Sequence, residues 1–307
     1  MPPTVQLSVF TQLDDEMIRR ITMLVEQVTE VDGVRPLSEH VVLQVLSGQS
    51  EKFLHVCAQA GQRLVGYAGI DLDSPEAGPM MELAVAPSAR DQGVSDTLFE
   101  RALSETDGRL SIWAHGTHSF AAPSATSRGF VPARELHRMR RSLLTPLPEP
   151  QSPQGITIRI FQPGIDDEEW LRLNAAAFVD LPDQGGWTVG DLQLRKSEDW
   201  FDPAGFFLAI DDRTGKMTGF HWTKIHKYDQ DLRQAVGEIY VIGIDPTTSH
   251  RGLGRALSLT GMRYLQSKGL NEVILYVDAK NQAARALYDR LGFTTYNTDV
   301  LYRSPLS

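Results

Sequence analysis

The spacing of apolar residues in the first half of the chain predicts two helices followed by a series of strands. Six apolar residues recur at helical spacing between positions 17 and 28, and Asp32-Gly33 predicts the end of that helix. Ser38 is a suitable N-cap for a second, shorter helix with apolar positions at 41, 42, 45 and 46. Apolar runs then predict strands at 53–59, 64–72 and 80–86. A helix at 96–104 and strands at 110–114 and 133–140 complete this half.

The second half repeats this order of elements. A strand at 156–160 and a helix at 167–178 are followed by a loop at 180–187 and by a helix that Thr188 can cap. Asp245-Pro246 ends the last of the next three strands, because proline cannot extend a hydrogen-bond ladder. Those three strands are predicted at 206–210, 217–225 and 239–244, and the chain continues with a helix from 251, a strand at 272–277 and a helix at 281–288.

A proline-rich segment separates the two halves. Residues 144–154 (LTPLPEPQSPQ) contain four prolines and no apolar periodicity, which indicates an extended linker. We therefore predict two domains, at residues 1–143 and 155–307.

Fixed offsets relate the two halves. Pro246 lies 159 residues after Pro87, and Gly252 lies 159 residues after Gly93. Matching residues thus recur at the same separation, and the elements recur in the same order, which indicates two related domains in tandem.

Composition narrows the classes of function. The 307 residues carry 39 acidic and 30 basic side chains, and a net charge of −9 argues against a nucleic-acid partner, which requires a basic face. Cys57 is the single cysteine, so no internal disulfide can form and a cytoplasmic location is expected. The N-terminus lacks the features of a signal peptide, and no apolar run approaches 18 residues, so we expect no membrane segment.

The turn before the helix at 251 is a candidate anion site. Arg251-Gly252-Leu253-Gly254 joins a strand to a helix, and glycines there let backbone N–H groups approach a phosphate beside the positive end of the helix dipole. By itself, such a turn is more often simple punctuation. Downstream, Asn281 and Tyr288 share a helical face within the pattern N-x-x-A-x-x-x-Y-x-x-x-GF.

As a set, the segment from Glu238 to Phe293 resembles the GCN5-related N-acetyltransferase (GNAT) family. The resemblance implies an α/β fold of two tandem GNAT domains, each a mixed, mostly antiparallel sheet flanked by helices, with acetyl-CoA as co-substrate and no metal. The implied acetyl-CoA-binding residues are Ile242, Gly243, Ile244, Ser249, His250, Arg251, Gly252, Leu253, Gly254, Arg255, Asn281, Gln282, Ala283, Ala284, Arg285 and Ala286.

The two halves differ at positions that carry the chemistry. The family turn is Gln/Arg-x-x-Gly-x-Gly/Ala, and its first copy, Arg90-Asp91-Gln92-Gly93-Val94-Ser95, has lost the last glycine. At the 159 offset Glu238 corresponds to Pro79, and at a second offset of 163 Tyr288 corresponds to Ala125. The first half thus lacks a base and a phenol, so we predict that the second half is catalytic.

Glu238 and Tyr288 are the candidate acid–base pair for acetyl transfer. An α-amine has a pKa of about 7.7–8.0, so a carboxylate such as Glu238 can accept its proton directly or through water. Tyr288 can protonate the leaving thiolate, and backbone N–H groups at 242–244 can polarise the carbonyl if Gly243 marks a β-bulge. The alternatives are an exposed strand-end carboxylate and a core tyrosine.

A more specific resemblance covers nearly the whole chain. VDGVRPLSEH, ELAVAP, WAHGT, DQGGWT, WFDP, GFHWTKIH and GEIYVIGIDP are similar to segments of a GNAT branch that acetylates the cysteinyl amine of a cysteine–glucosamine–inositol pseudodisaccharide. We therefore expect a small-molecule substrate and a monomer. The implied acceptor-binding residues are Glu39, Asp183, Lys224, Glu238 and Tyr276. A second nucleotide site is implied at Leu83, Ala84, Val85, Asp91, Gln92, Gly93, Val94, Ser95 and Asp96.

Other functions were weighed against this one. His115 with His118, or His221 with His226, could suggest a metal, but no Asp/Glu/Cys cluster in the sequence completes either pair. An acetyltransferase for another small amine or for a protein N-terminus is the enzymatic alternative. An acetyl-CoA-binding sensor is the non-catalytic one, and it would not need an acid–base pair. Release of CoA in the presence of candidate amines separates the three.

Overall fold

The computed structural model describes residues 5–47, 51–74, 78–117, 119–229, 232, 234–248 and 251–305. Contacts within the chain define two units: unit 1 is Met1–Leu136 with Asn297–Ser307, and unit 2 is His137–Tyr296. The domain limits expected from the sequence, 1–143 and 155–307, stay a prediction.

Unit 1 is a mixed sheet with helices packed on it. The order β1-β2-β3-β4-β5-β12 contains one parallel pair, β4–β5, and its other pairs are antiparallel. The sequence did not predict β1, α4 or β12. The elements are β1 (Val5–Phe10), α1 (Asp15–Asp32), α2 (Glu39–Ser47), β2 (Phe53–Ala60), β3 (Arg63–Asp71), β4 (Met80–Val85), α3 (Val94–Glu105), β5 (Ser111–Ala114) and α4 (Ala121–Thr126), with β6 (Val131–Ser142) and β12 (Thr294–Arg303) each shared between the units.

The sequence explains both limits of α1, and its end at Asp32-Gly33 was predicted. Asp14 accepts the N–H of Met17 at 2.7 Å and so caps the first turn. Gly33 ends the helix with φ +70°, a left-handed conformation that favours glycine.

Unit 2 has the same architecture, so the expected α/β fold with mixed, mostly antiparallel sheets is confirmed. Its strand order is β6-β11-β10-β9-β8-β7, with β10 and β11 parallel. Within the described residues, no helix combines the length and the apolar character that crossing a membrane requires. The elements are β7 (Ile156–Ile160), α5 (Asp167–Ala177), α6 (Pro182–Gly185), α7 (Val189–Lys196), β8 (Phe206–Asp211), β9 (Met217–Asp229), β10 (Gln234–Ile244), α8 (Leu253–Ser267), β11 (Glu272–Asp278) and α9 (Gln282–Arg290).

Separate apolar clusters cover the two faces of the unit 2 sheet. On the α8 face, Ile239 and Leu275 pack with α8 and with Tyr288 of α9. On the α5 face, Val241 and Trp222 pack with α5. Successive strand residues alternate between these faces, so the clusters show where each side chain of β10 points.

Between Val236 and Ile244, β10 carries one more residue than the stretch of β9 that it pairs with. Ile239 lies opposite Thr223 and Val241 lies opposite Trp222, which leaves Tyr240 between them as a β-bulge. A bulge bends its strand and increases the local twist.

The expectation of a bulge at Gly243 was wrong. Gly243 pairs regularly with Phe220. A Cβ atom at this position would lie 2.7 Å from the Phe220 ring and 3.0 Å from the Cβ of Ala177. Glycine is needed here because Phe220 and α5 leave no room for a side chain.

The corresponding strand of unit 1 has no bulge. β4 pairs with β3 without a register shift from Met80 to Val85. Because Tyr240 is an extra residue, the structural equivalent of Glu238 is Met80, so the sequence equivalence with Pro79 was wrong by one position. A methionine cannot act as a base either. Unit 1 therefore still lacks a base at the position of Glu238.

Part of the proline-rich segment packs against α8. Leu147 is buried in the same cluster as Met262 and Leu265. Arg263 also donates to the carbonyl of Leu147 at 3.2 Å. The role of residues 144–154 as a linker between domains stays a prediction.

Unit 1 holds three ionisable side chains in one cluster, in which Glu82 and Asp299 are buried and the His115 side chain is 12% exposed. Nε2 of His115 lies 3.3 Å from Glu82, and Nδ1 lies 3.3 Å from Asp299. Burial opposes the charge of the imidazole, but the two carboxylates outweigh it and raise the pKa of His115 to about 10. Glu82 also accepts the N–H of Ser38 at 2.5 Å, and Asp299 accepts the N–H of Gly116 at 2.8 Å. The cluster thereby attaches the start of α2 and the strand β12 to the sheet.

Candidate active site

Glu238 is a buried carboxylate in the middle of the unit 2 sheet. It is 6% exposed, and it lies directly opposite Lys224 on β9 and beside Ile274 on β11. The next residue, Ile239, packs on the α8 face, so Glu238 points to the α5 face. The alternative of an exposed strand-end carboxylate therefore does not describe this residue.

The carboxylate of Glu238 is hydrogen-bonded to an imidazole. Nε2 of His226 lies 2.6 Å from Oε2 of Glu238. The Glu238 side chain is 8% exposed, whereas that of His226 is 27% exposed. The histidine therefore lies between the buried carboxylate and solvent.

The ammonium group of Lys224 lies over two aromatic rings. Its Nζ atom is 4.4 Å from the centre of the Trp200 ring and 5.0 Å from that of Tyr240, and the residue is 7% exposed. Desolvated cation–π contacts are worth about 2 kcal/mol. Arg195 donates to the Tyr240 hydroxyl at 3.0 Å and fixes that ring. The bulge residue thus helps to hold a buried cation directly opposite the buried carboxylate.

The edge of β10 towards β11 is unpaired beyond Ile239. Over the strands that the structure describes, pairing with β11 covers only Gly237–Ile239. Asp245 donates its N–H to Thr218 of β9, and N–H groups alternate between the edges of a strand. The N–H groups of Ile242 and Ile244 therefore lie at the unpaired edge, where they can polarise a carbonyl.

The N-terminus of α8 has the features expected of an anion site. Gly252 has φ +88°, and no atom lies within 4 Å of the position of a Cβ. A Cβ at Gly254 would lie 3.1 Å from the side chain of Ile244. The helix is 15 residues long, and the N–H groups of its first turn have no partner within the helix. The N–H groups of the first turn and the open space beside Gly252 can together accommodate a pyrophosphate.

The other residues of the predicted turn have different surroundings. Leu253 is buried in an apolar cluster. Arg251 and Arg255 are exposed at the same turn. Ser249 and His250 lie outside the described residues.

The first turn of α9 lies at the surface. Asn281 caps the helix by accepting the N–H of Ala284 at 3.0 Å. Arg285 donates to the carbonyl of Ala279 at 3.1 Å. Gln282 and Ala283 are exposed, and the next three residues, 284–286, are half-buried. Their part in binding acetyl-CoA stays a prediction.

Tyr288 is buried on the opposite face of the sheet from Glu238. It is 5% exposed, packs against Phe293 with ring centres 5.6 Å apart, and belongs to the cluster on the α8 face. Burial raises the pKa of Tyr288 well above its usual value, so the hydroxyl keeps its proton at neutral pH. The two predicted catalytic side chains therefore lie on opposite faces of the sheet.

The structure brings together some of the predicted acceptor residues. Tyr276 shares the α5 face with Glu238, is 42% exposed, and has the guanidinium of Arg138 5.2 Å from its ring centre. Glu39 is the first residue of α2 in unit 1 and is half-buried. Asp183 lies in α6, and its side chain is outside the described part of the structure.

Three residues that the sequence analysis did not assign contribute to this site: His226, Tyr240 and Trp200. His226 shares a strand face with Lys224 at a spacing of two, which was a usable signal. The sequence around Tyr240 is that of an ordinary strand, and Trp200 is distant in sequence from Glu238, so neither residue gave a signal.

The turn of unit 1 is occupied by internal contacts. Arg90 donates to both oxygens of Asp32 at 2.7 and 2.8 Å. Asp96, in the first turn of α3, pairs with Arg128 and places a carboxylate near the helix N-terminus. Gly93 keeps a left-handed φ of +76°, and residues 83–85 are buried in β4. Nucleotide binding here stays a prediction.

The one histidine pair that the structure describes in full does not converge. His221 and His226 lie on opposite faces of β9, being five residues apart. Nδ1 of His221 lies 2.8 Å from the carbonyl of Leu257, and burial lowers the pKa of His221 to about 4. His115 has two carboxylate neighbours, and it forms an ion pair with each. Both are distant from it in sequence, so the sequence did not reveal them. His118 lies outside the described residues.

This chain is similar to known proteins in both sequence and fold. The model of the acetyltransferase (GNAT) family matches residues 168–293. The mycothiol acetyltransferase of Acidothermus cellulolyticus is 43% identical over 314 residues, which cover 98% of this chain and 95% of that protein. The mycothiol acetyltransferase of Streptomyces scabiei is 46% identical over 285 residues, or 92% of this chain and 90% of that protein.

Two solved structures show the same fold. A tandem GNAT protein from the clavulanic acid biosynthesis pathway has a TM-score of 0.74 at 15% identity, with 98% of both chains covered. A GCN5-related N-acetyltransferase from Sphaerobacter thermophilus has a TM-score of 0.71 at 23% identity, with 97% of this chain and 95% of that one covered. The tandem arrangement and the resemblance noted in the sequence are thereby confirmed. The chain belongs to the mycothiol acetyltransferase family of GNAT proteins.

Proposed function

We propose that this protein transfers the acetyl group of acetyl-CoA to the cysteinyl amine of a cysteine–glucosamine–inositol pseudodisaccharide. Relatives named mycothiol acetyltransferase match almost the full chain, which supports this reaction and this class of acceptor. The products are the N-acetylated thiol and CoA.

One observation carries the proposal for the site. The buried carboxylate of Glu238 lies on the bulged strand whose unpaired edge presents the N–H groups of Ile242 and Ile244. That strand leads directly to the glycines of the α8 N-terminus. A base, a carbonyl-polarising edge and an anion site thus follow one another along a single stretch of chain.

The chemistry follows from these groups. Glu238 accepts a proton from the cysteinyl ammonium, and the neutral amine attacks the thioester carbonyl. The N–H groups at the unpaired edge stabilise the negative oxygen of the tetrahedral intermediate. The new C–N bond forms, the C–S bond breaks, and the leaving thiolate takes the proton of Tyr288. The nitrogen of the intermediate loses its second proton, which restores the Tyr288 hydroxyl and leaves the neutral amide. Burial raises the pKa of Tyr288, so the hydroxyl carries its proton when the thiolate forms.

Binding of the two substrates uses different parts of unit 2. The N-terminus of α8, with Gly252 and Gly254, holds the pyrophosphate of acetyl-CoA. Lys224, Tyr276 and Asp183 contact the acceptor. Unit 1 takes no part in the chemistry of this proposal, because its β4 has Met80 at the position of Glu238 and has no bulge.

Mass spectrometry of the reaction products tests the function. We expect the desacetyl pseudodisaccharide to gain one acetyl group when it is incubated with the protein and acetyl-CoA. A peptide with a free N-terminus serves as the competing acceptor. Acetylation of the peptide, with an unchanged pseudodisaccharide, would refute the proposed acceptor.

A further inference from the structure

We propose that His226 positions the Glu238 carboxylate and gives the proton that Glu238 accepts a path to solvent. The proposal rests on the proposed function, because it requires Glu238 to act as the base. His226 itself does not touch the substrate, so it is a positioning residue.

The contact leaves half of the carboxylate available. Nε2 of His226 lies 2.6 Å from Oε2 of Glu238, which is the distance of a strong charge-assisted hydrogen bond. This bond restrains the rotation of the carboxylate and uses one oxygen. Oε1 can then accept a proton from the amine or from an intervening water.

Because Glu238 is buried, the proton that it accepts needs a path to solvent. Every turnover delivers a proton to Glu238, whose side chain is only 8% exposed. The carboxylate must lose that proton before it can act again. The His226 side chain is 27% exposed, and the two nitrogens of an imidazole lie on different sides of the ring. In each cycle the carboxyl proton passes to Nε2 of the Nδ1–H tautomer, and the imidazolium then loses its Nδ1 proton to water, which restores the carboxylate and the Nε2–H donor.

The surroundings single out His226 for this role. Lys224 is the other charged neighbour on the same strand face, and its ammonium lies over the rings of Trp200 and Tyr240. An ammonium group held in this way can stabilise a carboxylate but cannot pass a proton through itself. Val236, opposite His226 on β10, and Ile274, beside Glu238 on β11, are apolar.

Two substitutions separate positioning from proton transfer. His226→Gln keeps an N–H donor within reach of Oε2 but cannot relay a proton, and His226→Ala removes both functions. We expect both to lower kcat by about 10²-fold, the effect of one general acid–base group, with a smaller change in the acceptor KM. Added imidazole should restore kcat in His226→Ala, since it can occupy the space of the lost ring, and should not restore it in His226→Gln.

Controls distinguish this proposal from the proposed function. Lys227→Ala changes the next residue of β9, whose side chain is 81% exposed, and should leave kcat unchanged. Glu238→Gln should lose activity without recovery in imidazole. If the wild-type protein does not acetylate the pseudodisaccharide, the proposed function fails. If it does, a wild-type kcat in His226→Gln, or no recovery of His226→Ala with imidazole, overturns the proton path. A wild-type kcat in His226→Ala overturns both roles of His226.

Discussion

Deletion of Tyr240 would convert β10 into the unbulged form that β4 already has. Residues on both sides of Tyr240 pair with β9, and Ile239 and Val241 already pack on opposite faces of the sheet. The deletion therefore keeps the alternation of the strand and removes only the bend and one side chain. It tests whether the bulge positions the catalytic groups.

The deletion causes two losses of different kinds. The Tyr240 ring lies 5.0 Å from that of Trp200 and accepts a hydrogen bond from Arg195, so its removal should lower the free energy of unfolding by about 3 kcal/mol. Straightening the strand also moves the N–H of Ile242 relative to Glu238. A displacement of about 1 Å near the reacting atoms costs about 10²-fold in rate.

Tyr240→Ala is the matched control, because it removes the ring and keeps the bulge. We expect the two variants to lose similar amounts of thermal stability, measured by circular dichroism. The deletion should have a kcat about 10²-fold below that of Tyr240→Ala at saturating substrates, measured by CoA release. Equal kcat values in the two folded variants would refute the positioning role of the bulge.

Three further predictions concern the base, the anion site and the buried cluster. Glu238→Gln should lower kcat/KM by about 10²–10⁴-fold, most strongly at low pH where the amine is protonated; a pH–rate profile that matches the wild type removes Glu238 from the mechanism. Gly252→Asp should abolish acetyl-CoA binding in calorimetry, because a side chain is strained at a φ of +88° and the added charge repels the pyrophosphate. Gly93→Asp should leave kcat largely intact. The reverse result would show that unit 1, and not unit 2, is the catalytic one. The pKa of His115 is raised from an ordinary 6.5 to about 10, so its contribution to stability is complete below pH 6.5 and is lost as the pH rises towards 10. Denaturant unfolding should show this loss in the wild type and a smaller one in His115→Gln, and equal pH dependence would contradict the charge assignment.

Local patterns were sufficient to predict most of the fold. Asp32-Gly33 marked the end of α1, and the capping side chain of Thr188 was recognised before α7. The glycines at 252 and 254 marked the candidate anion site, because the left-handed backbone at Gly252 and the lack of space at Gly254 are local requirements.

Features that depend on pairing between distant segments were missed. The bulge at Tyr240 is defined by the register with β9, and the apolar sequence around it reads as a regular strand. His226 is 12 residues from Glu238, and Asp299 is 184 residues from His115, so no periodicity connects either pair. Position in a sheet, rather than residue type, decides which of these side chains meet.

The contribution of β12 to unit 1 has a consequence for biosynthesis. Residues 300–303 pair with β5, and Ser304 donates its N–H to the carbonyl of Leu110. The ribosome makes this segment only after the roughly 160 residues of unit 2, which takes about 8–32 s at 5–20 residues per second. Throughout that time β5 is an unpaired edge strand, and such edges promote association between chains. A nascent chain that stalls before residue 297 should therefore depend on a chaperone to remain monomeric.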